Sequence, residues 1–346
     1  DLATEEFSEE LRDQQFELLK QAQARTLDLT NWHDFYKCIN QAGFRGGRFI
    51  SSAYNQVYSY VMYLIGKTEY GVDAHTLRQT IARWFFMCNL TGRYTGSPET
   101  AMEFDLARLR EVTDAAGFVR NLNGICDSTL TDDFWSITLP EKLATQAAIS
   151  PSLFAYYAAL VLLDAKALFS PQKVSDLFDA SVHGTRSAAE KHHLFPRAYL
   201  NSIGITKFRD INQIANFSIC DWTDNAAIAD QAPAEYFPEL KKRFEGMALG
   251  QMYHWHALPD GWEDLEYHDF LTRRRELMAS VIREGYEKLI GGNDAVEPVE
   301  EIAISDLIQR GEGYHIEFKS TLRVNLHTGE RDPRMENAVV RTIAGF

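Results

Sequence analysis

Between Thr76 and Leu90 the chain reads "TLRQTIARWFFMCNL", in which Leu77, Ile81, Trp84, Phe85 and Cys88 recur at intervals of four, three, one and three. That spacing draws one apolar stripe along a helix and assigns Trp84 and Phe85 to a core. The longest apolar stretch, "LFAYYAALVLL" at 153–163, is too short to cross a bilayer and suits a buried helix. "SPQKVSDLF" opens a further helix, with Ser170 as N-cap and Pro171 at the first helical position. Residues 1–180 therefore read as a helical domain.

From residue 190 the period changes. "HHLF" and "QIANFSIC" read as short strands, and "AYLNSIG" between them as a helical turn ended by Gly204. A short helix is expected from Asp224, then helices over 234–249 and 268–290, the second with Phe270, Leu277, Val281 and Leu289 roughly on one face. In "YHWHALP" a strand would put His254 and His256 on one face, where no third ligand accompanies them and packing is the simpler role. Arg273, Arg274 and Arg275 must point in three directions on their helix, so they read mostly as a solvated face, with phosphate contact as the alternative. "GGNDAVEPVEE" at 291–301 has linker composition.

Composition adds bounds. The 346 residues are 45% apolar and 12% aromatic, enough for real cores in two or three domains. The four cysteines lie far apart, without a metal or disulfide spacing, which fits a reducing, cytoplasmic setting. There is no signal-peptide pattern and no expected membrane span, and both ends read as cut from a longer protein. A formal charge of −14 excludes a protein that coats nucleic acid non-specifically. Local contact is still open, because Arg186, Lys191, Arg197, Lys207 and Arg209 face only Glu190 and Asp210 within 181–210.

That basic island contains "EKHHLFPRAYL", with His192 and His193 adjacent. Neighbours on a strand point to opposite faces, so the pair needs two sets of partners. Hydrolysis of a phosphodiester asks for a base, a cation beside the phosphate, and a group that fixes the base. His193 suits the base, since imidazole titrates near neutrality. His192, on the other face, and Asn225, at the start of the following helix, suit a metal. Asn216 would tie the intervening loop by backbone hydrogen bonds. His183 and Glu190 stand just upstream as outer-shell candidates, and Lys191 and Arg197 as DNA contacts.

"EKHHLFPRAYL…INQIANFSICDWTDNAAIADQAPAEYF" resembles the ββα-metal, or HNH, nuclease motif, and more closely the C-terminal nuclease region of the GmrSD family of type IV restriction endonucleases. "RWFFMCNLTGRYTGSPETAMEFDL" and "HALPDGWEDLEYHDFLTRRRELMASVI" resemble that family's flanking segments, extending the likeness over about 25–290. The resemblance implies a divalent-metal-dependent endonuclease acting on modified phage DNA in antiviral defence, with an N-terminal ParB-like nucleotide-binding domain that this chain lacks. Its last motif position holds Asn225 where the HNH name has His; an amide oxygen favours Mg²⁺ or Mn²⁺ over zinc. "GEGYHIEFKSTLRVNLHTGERDPRMENAVVRTIAGF" resembles the opening hairpin and helix of a Schlafen-like AlbA domain, with Glu312, Glu317 and Lys319 on matching positions.

The expected architecture is mainly α with a small ββα-metal (HNH) nuclease core and a truncated α/β segment at the C-terminus. Its parts are a helical domain at 1–180, the nuclease domain with C-terminal helices at 181–290, a linker at 291–305 and a partial AlbA domain at 306–346. Two other functions stay open: a nucleic-acid-binding or scaffold module that keeps the HNH fold without turnover, and an RNase acting through the C-terminal segment.

Overall fold

The computed structural model describes residues 8–147, 149–178, 189–221 and 230–291, and of 189–191 and 221 the backbone alone. The chain divides after Gly291. Asn225, His183, Glu312, Glu317 and Lys319 lie outside the described residues, as does the short helix expected from Asp224.

The described part is mainly helical. In chain order run α1 (Glu9–Leu27), α2 (Leu29–Gln41), α3 (Ala53–Thr68), α4 (Ala74–Thr91), α5 (Pro98–Ala107), α6 (Ala115–Thr129), α7 (Leu139–Lys142) and α8 (Pro151–Leu162). After α9 (Val174–Phe178) come β1 (Ala189–His193), α10 (Arg197–Ser202), α11 (Phe208–Ile211) and β2 (Phe217–Asp221). Then follow α12 (Pro233–Lys241), α13 (Gly246–Trp255) and α14 (Tyr267–Ile290). No described helix is long and apolar enough to cross a membrane.

Helix α4 sits at the centre. Asp73 caps it by accepting from the His75 and Thr76 amides, and Gly92 closes it in the left-handed region at φ 68°. Every residue from Thr80 to Leu90 is buried, because α2, α3, α6, α8 and α14 surround it. The stripe in the sequence is thus one side of a helix buried all round. The carboxylate caught in this core, Asp105, is paired. Arg93 and the Tyr94 hydroxyl both donate to the fully buried Asp105 carboxylate, the latter over 2.7 Å. The four cysteines are buried thiols outside any disulfide.

Helix α14 joins this core to the two-stranded segment. Glu266 caps it through the His268 and Asp269 amides; Met278, Ile282 and Tyr286 are buried where the helix packs on α8 and α4, and Phe270 packs on Phe195 and Trp262. Leu277, expected on that face, is 38% exposed. Arg274, expected in solvent, has no exposed surface. Its burial is possible because backbone carbonyls receive it: Nη1 donates to Ala215 O at 2.6 Å and Nε to His256 O at 3.1 Å.

Other local expectations shift for identifiable reasons. Residues 234–249 form two helices, because the chain turns after Lys241 and restarts at Gly246 with φ 53°. "YHWH" ends α13, so His254 and His256 do not alternate along a strand; His254 Nε2 lies 2.6 Å from a Glu284 carboxylate oxygen and His256 takes the C-cap. Ser170 accepts from the Gln172 amide in a turn, and the helix begins only at Val174. In that turn Lys166 and Lys173 form an isolated antiparallel bridge.

Candidate active site

Strands β1 and β2 pair antiparallel, with His192 opposite Ser218 and His193 opposite Phe217. Paired residues share a face of the ribbon, so the two histidines face different surroundings. β1 ends at His193, two residues into "HHLF", because Asn216 takes over the backbone beyond it. The fully buried Asn216 side chain accepts from Phe195 N at 2.9 Å and donates to Phe195 O at 3.1 Å and Ile211 O at 3.0 Å. Leu194 N donates to Asn216 O at 2.8 Å. One amide thereby fastens the exit of β1, the end of α11 and the entry to β2.

His193 is partly buried, its ring 4.3 Å from that of Phe217. Its Nε2 lies 3.1 Å from Asn212 Oδ1, while Asn212 Nδ2 donates to Phe208 O at 2.9 Å. The carbonyl of Phe208 can only accept, so it orients the Asn212 amide with oxygen toward the imidazole. His193 Nε2 then carries the proton, and Nδ1 is the basic nitrogen. Burial pulls the His193 pKa below its ordinary value; the Asn212 bond opposes this, and the charge of Arg197 adds to the lowering. Arg197 itself is exposed at the start of α10.

His192 occupies the interior face. It is 3% exposed, with its ring 6.1 Å from Tyr236 at 83°, and Tyr236 in turn donates to Leu194 O at 2.7 Å. On the same face Ser218 Oγ lies 2.8 Å from His256 Nδ1, and His256 Nε2 is 2.9 Å from Lys166 O. Lys166 O can only accept, so His256 holds its proton on Nε2 and accepts from the Ser218 hydroxyl. Burial drives its pKa down to about 4, opposed by the bond to Lys166 and helped by the charge of Arg274. Burial likewise lowers the Arg274 pKa.

The structure thus brings His192, His193 and Asn216 together on one hairpin. Glu190 and Lys191 contribute backbone to β1 opposite Cys220 and Ile219, and their side chains lie outside the description. Asn212, Ser218 and Tyr236 complete the surroundings without having been singled out from sequence, and His256 and Arg274 join them from the helix end and the arginine run that were read there as packing and solvated face. Asn212 is 19 residues from His193, with no periodicity to mark it.

Among the described residues no three His, Cys, Asp or Glu side chains gather to hold a metal ion. The described half of the expected ligand pair is the His192 imidazole, a nitrogen donor of a kind divalent cations accept. Two protein ligands would leave the remaining positions to water and phosphate oxygens, a set that fits a hard cation. Comparison with protein-family models, with curated proteins and with solved structures finds no match for this chain.

Proposed function

We propose that the chain is an HNH-type, metal-dependent DNA endonuclease in which His193 is the general base. The observation that carries this is the bond from His193 Nε2 to Asn212 Oδ1, which leaves Nδ1 to take a proton. A lowered pKa keeps the imidazole neutral at pH 7, the form that can act as a base. Water gives a proton to Nδ1 and its oxygen attacks phosphorus in line; the bond to the 3′ oxygen breaks, and that oxygen is protonated from solvent. Mg²⁺ or Mn²⁺, held by His192 and Asn225, would supply positive charge beside the phosphate and the departing oxygen. Asn216 keeps His193 in place through Phe195. Modified foreign DNA met in the cytoplasm is the substrate this reading favours, as a type IV restriction function.

The test is cleavage of modified and unmodified plasmid in Mg²⁺, Mn²⁺ and EDTA by the full-length protein and by His193→Ala. Metal-dependent nicking is expected, with 5′-phosphate and 3′-hydroxyl ends, and a loss of about 10²-fold or more in the variant. Equal nicking by both proteins would reject His193 as the base. A second reading, a binding module without turnover, is favoured by the 3% exposure of His192, which leaves a metal little direct access to the ring. It predicts DNA binding by both proteins and cleavage by neither.

A further inference from the structure

The connection between the two strands carries a surface that the hydrolytic chemistry does not use. Lys207, Arg209, Asp210 and Gln213 line a cleft of about 400 Å³ whose other wall is His268, Leu271 and Arg275 of α14. Among the described residues, none of Lys207, Arg209 or Arg275 forms an ion pair with a carboxylate; Arg275 only donates to the Thr272 hydroxyl. Three unneutralised cations around one cleft, against a single acid in its lining, are unusual in a chain of formal charge −14. Such a cleft selects an anion.

Between the two basic residues stands Phe208, 68% exposed. A large aromatic side chain so placed gains nothing from folding, yet its backbone is tightly held. Phe208 O accepts from Asn212 Nδ2 at 2.9 Å, the group that also orients His193. Gln213 Nε2 donates to Arg209 O at 3.0 Å, and the Tyr267 hydroxyl to Asp210 O at 2.8 Å. A firmly held turn therefore carries an exposed aromatic ring on the residue between two basic ones in the chain, beside the cleft they line and one hydrogen-bonded residue away from His193. An aromatic platform beside positive charges is the arrangement that binds unpaired nucleotides, the ring stacking a base and the cations holding phosphates. In duplex DNA the base faces are already stacked on one another, so an isolated Phe adds little there.

We infer that the Lys207–Phe208–Arg209 turn and Arg275 form a docking site for an unpaired stretch of polynucleotide, with a base on Phe208 and the neighbouring phosphates in the cleft. The inference rests on the nuclease reading for its purpose, delivering a locally unpaired strand to His193, but its geometry is independent of turnover.

The experiment is fluorescence anisotropy in EDTA with the full-length protein and a labelled oligothymidylate of about 12 nucleotides, within the span one such site covers. The same sequence as a blunt duplex is the comparison. Phe208→Ala is expected to weaken single-strand binding about 10-fold with the salt slope unchanged, and Phe208→Trp to restore it. Lys207→Ala and Arg275→Ala are each expected to lower the slope of log K against log salt by about 0.7. Duplex binding should be insensitive to Phe208. Undiminished single-strand binding by Phe208→Ala, or an equal loss on duplex, overturns the inference. A plasmid assay run alongside separates the two ideas: the expected binding profile without cleavage sinks the nuclease reading alone, and cleavage with a silent Phe208 sinks the docking site alone.

Discussion

The residue that decides how His193 can act is Asn212. Its amide cannot turn over without losing Phe208 O, so its oxygen stays on the imidazole and the tautomer follows. Asn212→Ala is expected to slow DNA cleavage roughly 10- to 100-fold, the usual effect of removing a partner that orients a functional imidazole. Asn212→Asp keeps an acceptor for His193 but sets a carboxylate oxygen against Phe208 O, and should recover only part of the rate. Oligonucleotide affinity and the thermal midpoint should move little in either variant, since Asn212 is only partly buried. A parallel fall in rate and thermal midpoint would instead make Asn212 a packing residue. Asn216 differs: with three buried hydrogen bonds to backbone, its loss would leave several polar groups unmet and disturb the hairpin itself.

At the scale of elements, what the sequence disclosed depended on whether local pattern or distant partners set the outcome. Helices α4 and α14 were legible because their apolar periods run over several turns and their ends carry capping residues. The second strand was legible within the apolar run "QIANFSIC", whereas the first was expected over "HHLF" and lies earlier, over Ala189–His193, sharing only the paired histidines with that run. "YHWH" was read as a strand because four residues of alternation fit two periods, and only the packing of α13 on α14 settles it. Arg274 could not be placed in the core from sequence, since a charged residue is buried only where carbonyls wait for it, here Ala215 and His256 from distant segments. One close helix contact is equally non-local. A Cβ at Gly285 of α14 would lie 2.6 Å from Ala159 Cβ of α8, which brings the two backbones together. Gly285→Ala is expected to destabilise the protein by about 1–3 kcal/mol through overpacking. Adding Ala159→Gly should return part of that in urea unfolding, less the roughly 1 kcal/mol that Gly costs in a helix. Additive losses in the double variant would mean that the two positions do not meet.

For the molecule as a whole, helical core and hairpin are joined by buried polar groups, and this makes stability depend on pH. His256 bonds Ser218 of β2 and the Lys166 carbonyl, and its own carbonyl receives Arg274 of α14. Burial favours a neutral ring, as do the positive charge of Arg274 and the Ser218 hydroxyl, which needs Nδ1 as acceptor; only the bond from Nε2 to Lys166 O opposes them. The folded pKa of about 4 stands below the ordinary 6.5, so the unfolded chain binds the extra proton more readily. The resulting stability is fully present above pH 6.5 and drains away as pH falls toward 4, amounting to about 3 kcal/mol. His193, also lowered by burial, works in the same direction. Titrating carboxylates will add their own slopes, so the measurement is a difference: urea unfolding between pH 7.5 and 4.5 for the wild type and His256→Gln. The variant should be less stable at pH 7.5, having lost fitted hydrogen bonds, and should lose less stability on acidification. The two curves are expected to converge by about 2–3 kcal/mol at pH 4.5. Parallel curves would mean that His256 takes up its proton as readily in the folded protein as in the unfolded chain, and so does not make the joint between core and hairpin sensitive to pH.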